Sequence, residues 1–271
     1  KRLGVKLGVY QAGGYENLST QQKQFQSCLN QKADAIVLAA ISADGLNNEI
    51  KQALAAGVPV VDLVNGVNSP LVSAKSLVNF ADMSTAASLY ILEKAKGKPI
   101  KLAWFPGPAG AGWVLDGESG MKKTMQGKPV EIINGGNGPT DINSQAALIR
   151  AVLDKKPVDF LLGNAVAVSA AAPYLKMNNK MNTQIVSYYS TEPVIDLIKQ
   201  RQVLAAPSDS PVLQARISID LAVRILEKKP YAKKVSPVID VIDSDNVSTY
   251  DMSKLLPPKN HRLEEKELPA P

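Results

Sequence analysis

The chain has 271 residues, 45% apolar and 21% charged, an ordinary globular composition that excludes disordered, collagen-like and coiled-coil chains. Its 31 basic residues against 25 acids give a net charge of +6, but they are scattered and aromatics make up only 5%, so no basic stripe with stacking rings addresses nucleic acid. No apolar run reaches the roughly 18 residues of a membrane helix, which argues against a membrane-embedded chain.

The single cysteine, Cys28, and single histidine, His261, rule out an intramolecular disulfide, a zinc cluster, a CxxC redox pair and most histidine-based chemistry. Cys28 lies near Phe25 and Leu29 on an amphipathic segment and reads as a small buried hydrophobe. No signal peptide opens the chain; a processed secreted chain would show none, so the compartment has to be argued from function.

In chain order, short Val- and Ile-rich runs alternate with amphipathic stretches, the pattern of parallel strands joined by crossover helices. Strands are predicted at Val5–Val9, Ala35–Ile41, Val58–Val64, Ile100–Phe105 and Val130–Asn134, then at Phe160–Leu162, Gln184–Ser187, Val203–Ala206 and Pro237–Ile242. Helices are predicted at Thr20–Lys32, Gly45–Ala56, Ser84–Ala95, Val114–Met125, Asn143–Leu153, Val168–Lys176 and Pro193–Gln200. A long helix follows, with Leu213, Ile217, Leu221 and Ile225 on one face and Pro230 as its stop. About nine strands exceed what one compact sheet of this length usually holds, so an α/β protein of two similar lobes is expected. Its ligand cleft lies beyond the carboxyl ends of the strands.

The loops leaving the strands carry the candidate chemistry. Gly107, Gly110 and Gly112 precede a helix, but the following strand ends in Asn134 without the acid a dinucleotide site needs. A P-loop's Lys and Ser/Thr pair is also absent. A backbone turn facing the cleft is the preferred reading, with Trp113 just after it as a ligand contact. Tyr15 follows Gly13 and Gly14, and the pair Tyr188 and Tyr189 leaves another strand; alternation sends one of that pair to the cleft and the other to the core. Asn65, Asn164 and Asp209 sit at further strand exits as oriented polar groups or turn residues. No Gly-x-Ser-x-Gly elbow, cleft histidine or carboxylate cluster supports catalysis, and no cofactor is called for. Asp243 and Asp245 lack the glycine of a calcium loop and read as a turn.

The order of elements, with Val58, Pro59, Val60 and Val61 before one strand exit and Gly163, Asn164, Ala165 and Val166 after another, resembles the type I periplasmic binding proteins, which include the ribose-binding proteins. Ala12–Tyr15 (AGGY), Gly163–Val168 (GNAVAV), Ala206–Asp209 (APSD) and Ser236–Ile239 (SPVI) resemble the branch that senses trimethylamine N-oxide (TMAO). The resemblance implies two Rossmann-like lobes joined by a three-strand hinge, with crossings near Asp82, Tyr189 and Ser236. The lobes would comprise 1–81 with 190–235, and 82–189 with 236–271. Lys1 to Gly4 look like the end of a first helix, so the family's first βα unit is expected to be missing.

Sugar-binding relatives carry an acid and an arginine where this chain has Val64 and Asn65. Their Asn-Asp pair becomes Asn164 and Ala165, their hinge Asp becomes Tyr189, and their arginine before the helix at Val114 has no counterpart. Aromatic faces with a few donors suit a small methylated solute better than a sugar. The segment Phe80–Ser84, however, lacks the tryptophan expected of TMAO sensors. The resemblance implies a non-enzymatic periplasmic protein that binds a small solute and contacts the periplasmic domain of a membrane sensor histidine kinase. The alternative is a receptor that hands solute to an ABC permease. A lac repressor-like regulator is disfavoured because no helix-turn-helix leads the chain, and the Pro-rich tail Leu256–Pro271 reads as a surface tether.

Overall fold

A computed structural model describes residues 4–259; His261 and most of the expected tail lie outside them. The elements are α1 (Leu18–Asn30), β1 (Ile36–Leu38), α2 (Asn47–Ala55), β2 (Val60–Leu63), β3 (Ala74–Ser76), α3 (Phe80–Ala95), β4 (Ile100–Phe105), α4 (Gly112–Met125) and β5 (Val130–Asn134). They continue with α5 (Ile142–Leu153), β6 (Phe160–Gly163), α6 (Ala165–Met177), β7 (Gln184–Ser187), α7 (Glu192–Lys199), β8 (Ala205–Ser208), α8 (Pro211–Leu226), β9 (Lys234–Val235) and β10 (Asp240–Asp243). Helix starts follow local chemistry: Asn79, Asp141 and Asn164 each accept backbone N–H bonds with their side chains and so cap α3, α5 and α6.

Two sheets result, of orders β1-β2-β3-β9 and β10-β8-β7-β6-β4-β5. The first is parallel throughout. The second is parallel except where β10 returns antiparallel to β8. In the second sheet β4 pairs with β5 on one side and β6 on the other, so the crevice beyond their carboxyl ends is where a doubly wound sheet receives ligand. The loop Pro106–Ala111 and Asn164 border that crevice.

Each face of the second sheet carries its own core. One is built on Phe105, Leu161, Ile185, Val194 and Ile242, the other on Trp104, Phe160, Leu162, Met83 and Ile91. The first sheet is sandwiched between Phe25, Leu46 and Ile50 on one side and the α8 residues Leu221 and Ala222 on the other. Helices α3 and α4 come together through Gly120, where a Cβ would stand 2.1 Å from the Ala81 carbonyl oxygen.

Several expectations are corrected. Val5–Val9 forms no strand beyond an isolated bridge at Val9; Val5 and Leu7 are exposed, so their alternation finds no apolar layer to rest on. β3 was not expected, because Ala74, Lys75 and Ser76 lack the β-branched residues that mark a strand. The chain does not cross to the first lobe near Tyr189: Val186 of β7 pairs with Ala205 of β8, which keeps 192–208 in the second sheet rather than with residues 210–235. Sheet membership puts the crossings at 77–79, at Asp209 and Ser210, and at 236–239. Ser236 Oγ ties two of them by donating to the Leu77 carbonyl at 2.7 Å.

Candidate functional site

Five aromatic rings converge where the lobes meet. Trp113, the second residue of α4, lies 5.6 Å from the Tyr189 ring, 5.8 Å from Phe80 and 5.9 Å from both Tyr15 and Tyr188, centroid to centroid. Its Nε1 donates to Tyr15 Oη at 2.9 Å, which links an indole of the second lobe to a phenol of the first. The glycine loop makes this seat possible. Gly107 has φ +119° and a Cβ there would stand 2.7 Å from the Trp113 ring, so this glycine gives the indole its room. Gly110 accepts a hydrogen bond from the Ala43 amide across the lobes at 3.4 Å.

Alternation divides the tyrosine pair. Tyr188 is fully buried, donates to the Pro106 carbonyl and lies 4.9 Å from the Trp104 ring; it is a core residue that backs Trp113. Tyr189 is half-buried and meets Phe80 edge-on at 6.2 Å, so it is the member that faces the junction. Burial raises both phenols above the ordinary tyrosine range, and for Tyr189 the nearby Tyr15 and Asp209 add to the effect.

On the first lobe, Val64 holds φ +63°, strained for a β-branched residue. The Asn65 amide closes a tight turn by donating to the Leu63 carbonyl at 2.7 Å. Asn65 Nδ2 in turn donates to the Ala40 carbonyl at 2.8 Å. Tyr15 is pushed up by burial, an effect opposed by hydrogen bonds from Trp113 and Asn65. The turn abuts α4 so closely that a Cβ on Gly112 would stand 2.9 Å from the Gly66 carbonyl oxygen.

Asn164 is not drawn into the junction. Its amide donates to the Phe105 carbonyl and Gln145 Oε1, while its oxygen accepts from the Val166 and Ala167 amides. All its hydrogen-bonding positions are occupied, so it holds the β6–α6 turn and offers a ligand nothing. Asp209 differs: it sits at a lobe crossing, buried, with Oδ1 lacking any hydrogen-bond partner. Desolvation raises its pKa to about 6. Ser190 Oγ, beside Tyr189, is likewise buried and unpartnered. Sequence reasoning missed Phe80 and Ser190 as site members. The signal for Phe80 is the Asn79 cap before it, which starts α3 at the crossing instead of at Ser84.

Among the described residues no group of histidine, cysteine or carboxylate side chains could hold a metal ion, and no helix is long and apolar enough to cross a membrane. Asp243 and Asp245 form a turn in which the Asp245 amide donates to Asp243 Oδ1 at 3.0 Å. Cys28 is half-buried against the first-lobe core.

Comparison with known proteins bears on this geometry. The chain is 32% identical to the periplasmic protein TorT of Escherichia coli K12 over 263 residues, which is 97% of this chain and 76% of that one. Among solved structures it is similar to an ABC transporter solute-binding protein from Bradyrhizobium sp. BTAi1 with bound bis-tris, at 38% identity and a TM-score of 0.81, covering 96% of this chain and 80% of that one. It is also similar to TorT in complex with the TorS sensor domain in the presence of TMAO, at 27% identity and a TM-score of 0.85, covering 97% and 90%. The periplasmic binding protein domain family matches residues 1–230, and this chain, with its two sheets and its aromatic junction at the lobe crossings, belongs to that family.

Proposed function

We propose that this chain works in the periplasm as a binding protein without catalytic activity. It captures TMAO or a related small methylated solute between its lobes and reports the bound state to the periplasmic domain of a TorS-like sensor histidine kinase. The observation that carries this reading is the aromatic junction of Tyr15, Phe80, Trp113 and Tyr189 at the lobe crossings. Methyl groups on a positively polarised nitrogen rest well against ring faces. Tyr15 and Asn65 of the first lobe and Asp209 at the crossing supply polar groups beside the rings, with Tyr188 as backing and Asn164 as a structural cap. Ligand acts by favouring one arrangement of the lobes over another, which changes the surface the kinase meets.

The 32% identity to TorT supports the signalling role. A second reading, a receptor for an ABC permease, draws on the 38% identity to the Bradyrhizobium solute-binding protein. The two separate in one experiment, in which the protein is mixed with the TorS sensor domain and the complex is followed by light scattering with and without TMAO. Complex formation whose affinity TMAO shifts is expected; no association under either condition would favour the transport role.

A further inference from the structure

We infer that the solute held at the junction carries a positively charged, alkylated nitrogen, with the Asp209 carboxylate as its counter-ion; this rests on the junction being the ligand site. Asp209 is 5% exposed and its Oδ1 has no hydrogen-bond partner. Among the described residues the ion pairs of the molecule all lie elsewhere. Taking a carboxylate out of water is costly unless a partner meets it.

The partner's chemistry follows from what the junction leaves open. Tyr188 Oη is held by Pro106 and Asn164 is saturated, while Tyr15 accepts from Trp113 and keeps its own proton to give. Among the described residues the buried groups without a partner around the crossing are Asp209 Oδ1, Ser190 Oγ, Trp104 Nε1 and Gln214 Oε1, the last on the side chain whose amide donates to the Asp209 carbonyl. A sugar would bring hydrogen-bonding hydroxyls but no counter-charge for a carboxylate taken out of water. An alkylammonium needs one anion and ring faces, which Asp209, Phe80, Trp113 and Tyr189 provide. β7 and β8 run parallel with Val186 opposite Ala205, so Asp209 leaves its strand alongside Tyr189 and Ser190, and its charge opposes ionisation of the Tyr189 phenol.

A competing explanation is that Asp209 merely complements the positive end of α8, whose cap Ser210 makes no side-chain capping bond. The two explanations differ in outcome. The test is calorimetric titration of the full chain, wild type and Asp209→Asn, with tetramethylammonium, choline, its uncharged isostere 3,3-dimethyl-1-butanol, TMAO and ribose. The cations are expected to bind wild type at least about tenfold more tightly than the isostere. Asp209→Asn is expected to erase that preference while its thermal stability at neutral pH rises. Equal affinity for choline and the isostere, no binding of either cation, or an Asp209→Asn variant that is less stable and still prefers cations overturns the inference. If TMAO binds wild type and choline does not, the charge assignment falls and the junction survives as the site. If ribose alone binds, the reading of the site falls with it.

Discussion

The second lobe is built on six strands of four to six residues with a large apolar layer on each face, whereas the first has four strands of two to four residues between smaller layers. The aromatic junction divides just as unevenly. Phe80, Trp104, Trp113, Tyr188 and Tyr189 all stand on the second lobe, backed by the sheet, and the first contributes Tyr15 and Asn65 from loops. The difference teaches that the second lobe is a preassembled platform, which on the proposed function sets what fits. On the same reading the first lobe, which adds Tyr15 and Asn65 from loops, acts as the cap over it. Changes to the platform should therefore appear in stability, and changes to the cap in affinity.

The largest expected effect is on the platform. Trp113→Ala removes a side chain 2% exposed at the centre of the rings and should cost about 3–5 kcal/mol, read by chemical denaturation. Gly120→Ala should cost about 3 kcal/mol because its Cβ would meet the Ala81 backbone and force α3 and α4 apart. Full stability in either variant would mean the platform is less tightly fixed than its geometry indicates.

Asp209→Asn sharpens the comparison at the crossing between platform and cap. Its carboxyl holds its proton up to about pH 6 in the folded chain, against the ordinary 3.8, so folding favours the neutral form. The folded protein is therefore destabilised progressively as pH rises from about 4 to 6, a penalty of about 3 kcal/mol once complete. Asp209→Asn should match wild type near pH 4 and exceed it by roughly that amount at pH 8, measured as Tm against pH. A variant less stable than wild type at pH 8 would mean that the carboxylate serves the fold.

The smallest change tests the cap. Tyr15→Phe removes the acceptor for Trp113 Nε1 and should cost about 1 kcal/mol. Because Tyr15 reaches the rings only when the lobes meet, the loss should appear mainly as weaker ligand binding, with the unfolding midpoint of the second lobe nearly unchanged. An equal loss in both would remove the distinction between platform and cap.

Much of this is legible in the sequence, and the failures have physical causes. Alternating apolar runs locate β1, β2, β4 to β8 and the helices between them, because a parallel strand buried on both faces must be apolar throughout. β3 escapes notice because the first sheet tolerates Lys75, whose amine reaches the edge to donate to the Val67 carbonyl at 2.8 Å. The crossing after β8 is misplaced because Ala-Ala-Pro-Ser reads the same in either sheet, and only its pairing with β7 and β10 decides. At the site, Trp113 and Tyr15 are recoverable from glycine turns at strand exits. Tyr188 and Tyr189 can be told apart only by which one finds the Pro106 carbonyl. Asn164 looks like a ligand group because a helix cap and a ligand donor call for the same side chain at the same place. Asp209 is visible as a polar residue, but its missing partner is a property of the packed junction alone.

The central claim, that the aromatic junction binds a small methylated solute, is tested most directly by calorimetric titration of the intact chain with TMAO and with ribose, using Trp113→Phe as the companion variant. TMAO binding that weakens in Trp113→Phe, with no heat from ribose, is the expected result. Ribose binding that is indifferent to Trp113→Phe, with no response to TMAO, would contradict it.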